Sequence, residues 1–96
     1  MKAYCIFQED ITDPAGFDAY RKEVMPTLAP FGGKFIVRGV RFTKVEGDMP
    51  YGRVVVVEFA SREAAEGWYH SPAYQKLVPL RLKASRGSLI IIDGAE

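Results

Sequence analysis

Arg38 lies in the run Phe35-Ile36-Val37-Arg38-Gly39-Val40-Arg41-Phe42. The run reads as a strand in which Ile36, Arg38, Val40 and Phe42 share a face. A guanidinium in that company needs a partner, because an unpaired charge held away from water is costly. One partner is structural. Glu58 is a charge set in the apolar strand Val54-Val55-Val56-Val57-Glu58-Phe59, and a suitable hairpin register makes the two a buried ion pair. The other partner is a ligand, since the planar fork of arginine matches a carboxylate. Tyr20, Trp68 and Tyr74 are then its walls, favouring a flat apolar body, with Arg81 as a second cation. Ordinary core packing of the three aromatics is the competing account.

Other chemistry is sparse. His70 is the one histidine and the one candidate catalytic group, since imidazole titrates near neutral pH. No acidic residue stands beside it as an orienter, so an exposed residue ahead of a helix cap at Ser71 is the favoured account. Cys5 is the only cysteine, so it has no internal disulfide partner, and its apolar setting reads as a small buried thiol. One His and one Cys are too few for a metal centre. There is no glycine-rich phosphate loop and no nucleophile elbow. No metal and no cofactor are expected.

The elements that must position these residues follow from pattern. Lys2 to Gln8 reads as a strand, with Ala3, Cys5 and Phe7 on one side and Tyr4 and Ile6 on the other. Asp13-Pro14 suits an N-cap followed by the first helical position. Phe17, Tyr20, Val24, Leu28 and Phe31 continue from it as one apolar stripe, with a kink or early end expected at Pro26. Lys34 to Glu46 reads as a long strand. The turn Gly47-Asp48-Met49-Pro50 joins it to a third strand, Tyr51 to Phe59, as a hairpin. Ser61 caps a further helix, Ser71-Pro72 starts another, and Ser88 to Asp93 is the last strand.

The order strand, helix, strand, strand, helix, strand predicts an α+β, ferredoxin-like βαββαβ domain over residues 1–96, with a four-stranded antiparallel sheet and helices on one face. All four strands are largely apolar on both faces. A symmetric homodimer through the uncovered sheet face is the simplest way to bury the second one.

Composition agrees with this and narrows the function. Ninety-six residues make one small domain, for which oligomerisation is a common source of stability. A formal net charge of +1 without any basic run argues against nucleic acid. The apolar run before Glu9 and Asp10 is too short for a signal peptide or a membrane span, so a cytoplasmic protein that binds no membrane is expected.

Several blocks in order resemble a known family: Gly32-Gly33-Lys34-Phe35-Ile36-Val37-Arg38-Gly39, Glu46-Gly47-Asp48, Val55-Val56-Val57-Glu58-Phe59, Trp68-Tyr69-His70-Ser71-Pro72-Ala73-Tyr74-Gln75, Arg81 and Ile92-Asp93-Gly94. They are similar to the uncharacterised domain-of-unknown-function family 1330, within the dimeric α/β-barrel superfamily. Val40 departs from the family pattern, where a second glycine often follows the Arg-Gly pair. The resemblance implies a ferredoxin-like fold and a sheet-to-sheet dimer, and no activity. The superfamily includes cofactor-independent monooxygenases, haem-degrading enzymes and muconolactone isomerases, which are analogies of fold. Some haem-degrading members use a Trp and a His with an Asn, and this chain has no Asn.

Two functions are therefore expected from the sequence. One is binding or transforming a small organic acid without a cofactor, in a pocket between helices and sheet lined by Tyr20, Arg38, Trp68, Tyr74 and Arg81. The other is a non-catalytic dimerisation module in which the same residues are structural.

Overall fold

Period-two alternation in the first strand, β1 (Ala3–Ile11), sets the interior: Ala3, Cys5, Phe7 and Glu9 are buried, and the residues between them are not. The computed structural model describes residues 1–95, so Glu96, the last residue of the expected domain, lies outside the described residues. β1 is central. It pairs antiparallel with β3 (Arg53–Phe59) on one side and with β4 (Ser85–Asp93) on the other. β2 (Lys34–Gly39) pairs with β3, giving a four-stranded antiparallel sheet of order β2-β3-β1-β4.

The first crossover is α1 (Pro14–Leu28). The Asp13 carboxylate accepts the Gly16 N–H at 3.2 Å, and Pro14 occupies the first turn. Phe17, Tyr20, Val24, Thr27 and Leu28 form its buried stripe. The helix does not end at Pro26. It runs two residues further, where the Thr27 hydroxyl donates to the Val24 carbonyl at 2.6 Å, and a 3-10 turn (Ala29–Phe31) follows. The second crossover is three short helices: α2 (Arg62–His70), α3 (Pro72–Gln75) and α4 (Val78–Ala84). Ser61 and Ser71 cap the first two through hydroxyls that accept the Ala64 and Tyr74 N–H groups.

These helices pack on the face of the sheet that carries Cys5, Phe7, Val55, Val57 and Phe59, and the joint core includes Trp68, Tyr74 and Leu77. The Cys5 thiol lies in that core, where burial pushes its pKa up to about 12. It is a structural thiol.

The hairpin differs most from the sequence expectation. β2 ends at Gly39, and residues 40–52 have no regular structure. The expected continuation to Glu46 lacks burial, since Val40 is 69% and Val45 85% exposed. It also lacks a partner, because β3 begins only at Arg53. Within β2 the register slips: Phe35 lies opposite Val57 and Val37 opposite Val56, so Ile36 is the extra residue of a bulge. An unbroken register would have set Arg38 opposite Val54, on the open face. The bulge sets it opposite Val55, on the helix face with Phe35.

The open face carries an apolar ladder across all four strands. Val37, Val56, Ile6 and Ile90 are successive cross-strand neighbours, and Ile92 lies beside Tyr4. Val37, Ile90 and Ile92 are about half exposed. The molecule spans only 16 Å in its thinnest direction, enough for one sheet and one layer of helices. Nothing within the described chain covers this face.

Candidate functional site

The α1 stripe does not close fully on the sheet beneath it. A cavity of about 50 Å³ lies between them. α1 contributes Phe17, Tyr20, Arg21, Val24 and Met25. The sheet contributes Phe7 and Glu9 from β1, Phe35 and Arg38 from β2, and Arg53 and Val55 from β3. The floor is apolar and aromatic, and the charged groups are three guanidiniums and one carboxylate.

Strand geometry places the carboxylate. Glu9 continues the buried row of Ala3, Cys5 and Phe7 and is 4% exposed. Arg53 continues the row of Val55, Val57 and Phe59 and lies directly opposite Glu9. Arg53 Nε is 3.2 Å from Glu9 Oε2. The contact is close enough for an ion pair but too poorly aligned for a hydrogen bond, and this buried N–H has no acceptor among the described residues. On the other flank, β4 approaches closely at Gly87, where a Cβ would lie 2.7 Å from Glu9 Cα and collide with the Gln8 carbonyl. Only glycine fits that approach.

The arginines are held over aromatic faces. Arg38 stacks on Phe35 at 4.9 Å, and Arg21 and Arg53 stack on Phe17 at 5.2 and 5.5 Å. Arg21 also meets the Asp18 carboxylate at 3.7 Å and Arg53 meets Glu9, whereas Arg38 has no ion-pair partner among the described residues and keeps its N–H groups for a ligand. Burial raises the Glu9 carboxyl above the ordinary carboxylate range, against the pull of Arg53, Arg81 and Arg21. Burial also lowers Arg53, against the pull of Glu9. Both partners therefore indicate that desolvation outweighs their mutual attraction.

Of the residues singled out in the sequence, Tyr20 and Arg38 line this cavity. Trp68 and Tyr74 do not, because they lie one layer deeper. Their rings stack at 4.0 Å, and Trp68 Nε1 donates to the Thr27 hydroxyl at 3.0 Å. The Tyr74 hydroxyl shares a 2.8 Å hydrogen bond with that of Tyr20. Both tyrosine pKa values are raised by burial. Arg81 is buried behind Phe7, its guanidinium 5.6 Å from that ring. It acts on Glu9, Tyr20 and Tyr74 through its charge and lines no part of the cavity. His70 is exposed at the end of α2, edge-on to Tyr69 and away from the cavity. Among the described residues no group of three metal-ligating side chains comes together.

The Arg38–Glu58 ion pair does not form. Glu58 lies opposite Lys34 and is held by Lys2 at 3.1 Å and Lys34 at 4.0 Å, whereas Arg38 lies opposite Val55. Stability losses from Arg38→Met and Glu58→Gln are accordingly expected to add in a double-mutant cycle. A coupling beyond about 0.5 kcal/mol would show that the two side chains meet.

Glu9 and Arg53 escaped the sequence reading, although their signal is present. Extending the rows of β1 and β3 by one period of two residues places opposite charges at facing ends of the core.

The family model for the Domain of unknown function (DUF1330) matches residues 2–95. No curated protein matches the chain. Among solved structures, a protein of unknown function from Rhodopseudomonas palustris is similar at 17% identity and a TM-score of 0.78, over 99% of this chain and 83% of that one. SnoaB, a cofactor-independent oxygenase from Streptomyces nogalater, is similar at 12% identity and a TM-score of 0.69, over 99% of this chain and 94% of that one. A dimeric ferredoxin-like protein of unknown function from Jannaschia sp. CCS1 is similar at 13% identity and a TM-score of 0.66, over the full length of both chains. At these identities the likeness establishes the ferredoxin-like fold.

Proposed function

The chain belongs to the DUF1330 family, a domain of unknown function, and from that premise we propose that it binds or transforms a small organic acid in the cavity between α1 and the sheet, without a cofactor. One observation carries the reading: three arginines, Arg21, Arg38 and Arg53, line one cavity with a single carboxylate, Glu9, above an aromatic floor. That excess of positive charge suits an anion, and the stacked guanidiniums suit a carboxylate. Phe7, Phe17, Tyr20 and Phe35 suit a flat apolar body. A cofactor-independent oxygenase on the same fold makes small-molecule chemistry in such a cavity reasonable. Nucleic acid and membrane are not among the proposed partners: the net charge is small, and among the described residues no helix is long and apolar enough to cross a membrane. The cytoplasm is the proposed location, where the unpaired Cys5 stays reduced.

The working unit in this proposal is a homodimer joined through the open sheet face. The ladder of Val37, Val56, Ile6 and Ile90 supports it, because such a surface is rarely left in water. The Jannaschia protein of like fold is dimeric. The rival reading, a dimerisation module without a ligand, is favoured by the cavity's size, since about 50 Å³ holds only a few atoms. Met25 and Arg38 are the exposed side chains of its rim, where an acid would enter.

Trp68 is the only tryptophan and contacts the cavity wall edge-on through Phe7. A panel of small aromatic and enolisable acids at millimolar concentration is expected to include some that change its emission saturably and raise thermal stability. Arg38→Met should weaken both responses. If no acid alters either signal, the dimerisation module is the better reading.

A further inference from the structure

Resting on the organic-acid reading, we propose that Glu9 is a catalytic base that moves a proton at the carbon next to a carbonyl group, so that the site interconverts keto and enol forms of a flat 2-oxo acid. Proton transfer needs a carboxylate that meets the substrate, is shielded from water and is not already neutralised by perfect hydrogen bonds. Glu9 meets each condition. It lines the cavity, is 4% exposed, and meets its ion-pair partner Arg53 at 3.2 Å in a contact that leaves the Arg53 Nε–H without an acceptor among the described residues. Its raised pKa brings its basicity closer to neutral pH. A buried, unused donor beside a base is the pairing that enolisation requires, because negative charge develops on the carbonyl oxygen as the proton leaves carbon.

The step balances without an oxidant. A Glu9 carboxylate oxygen takes the proton, and the C–H bond breaks. Its electron pair forms the C=C bond while the carbonyl π pair moves to oxygen. Arg53 holds the resulting enolate oxygen and Arg38 the substrate carboxylate. Glu9 then returns its proton to oxygen, giving the enol, or to carbon, giving exchange. Arg21 from α1, Arg53 from β3 and Arg81 from α4 are the charged groups that act on Glu9, with Tyr20 and Tyr74 nearby from α1 and α3.

Phenylpyruvate in deuterium oxide is the probe, with loss of its methylene proton signal followed by NMR. The intact protein is expected to accelerate exchange, with a rate that rises through a single ionisation above the ordinary carboxylate range. Glu9→Gln should slow exchange roughly hundredfold or more. If circular dichroism shows that this variant is unfolded, Glu9→Asp replaces it and should still bind the probe while exchanging at least about tenfold more slowly. Saturable binding of phenylpyruvate without exchange would overturn the proposal and leave the organic-acid site standing. Exchange at the wild-type rate in either folded variant, or a rate independent of pH, would overturn it as well. A probe that leaves Trp68 emission unchanged and exchanges no faster than in buffer would remove the proposal together with the site it rests on.

Discussion

Val56→Asp is expected to split the proposed homodimer into folded single chains of 10.7 kDa, whereas Val57→Asp is expected to unfold the protein. The two residues are neighbours with the same side chain, and the pleat sends them to opposite faces. Val56 sits mid-ladder between Val37 and Ile6 on the open face, and Val57 is 1% exposed against Cys5 in the core. A carboxylate at position 56 reaches water once the partner leaves, so the cost falls on association. At position 57 it has no water and no cation, and a loss above about 4 kcal/mol is expected. Light scattering and far-UV circular dichroism separate the outcomes. A wild-type mass of one chain at micromolar concentration would refute the dimer, and a Val56→Asp variant that stays dimeric would move the interface elsewhere.

The second large effect concerns Glu9 and Arg53. Replacing both by methionine is expected to stabilise the fold at neutral pH by about 1–4 kcal/mol, as apolar substitution of buried ion pairs often does. The same change should abolish any response to organic acids. Glu9→Met alone should stabilise less than the double change, because it leaves the Arg53 charge buried without its carboxylate partner. The pH dependence follows from the raised Glu9 pKa. A carboxyl raised in the folded state favours folding fully below its unfolded pKa, and that contribution is lost as pH rises through the folded value. The advantage of the double variant should therefore be small near pH 4 and larger near pH 7. Thermal melts at the two pH values measure this, and a double variant less stable than wild type at pH 7 would refute it. A stabilising loss of function is what a site maintained against stability looks like.

The element order, the helix starts at Asp13-Pro14 and Ser71-Pro72 and the two apolar faces of the sheet were legible in the sequence, because each rests on local spacing. The hairpin was not. Whether Arg38 faces the helices or the open side depends on a one-residue bulge at Ile36, and a slip of one residue exchanges the faces. Trp68 and Tyr74 are similar cases. Their types suit a pocket wall, but depth is set by packing, and the structure stacks them behind Tyr20 and Phe7. Glu9 and Arg53 were legible in principle from period-two rows carried one step further. Their meeting depends on the β1–β3 register, which strand length and pairing decide.

The organic-acid site is tested most directly by calorimetric titration of the wild-type protein with phenylacetate and, separately, with phenylacetamide. The two share an aromatic body and differ in the charge offered to Arg21, Arg38 and Arg53. The expected result is saturable binding of the acid, weakened by salt, with the amide at least about tenfold weaker, since a hydrogen bond to a charged group contributes roughly 1.5–3 kcal/mol. Equal binding of acid and amide, or no binding of either, would contradict an anion site between α1 and the sheet.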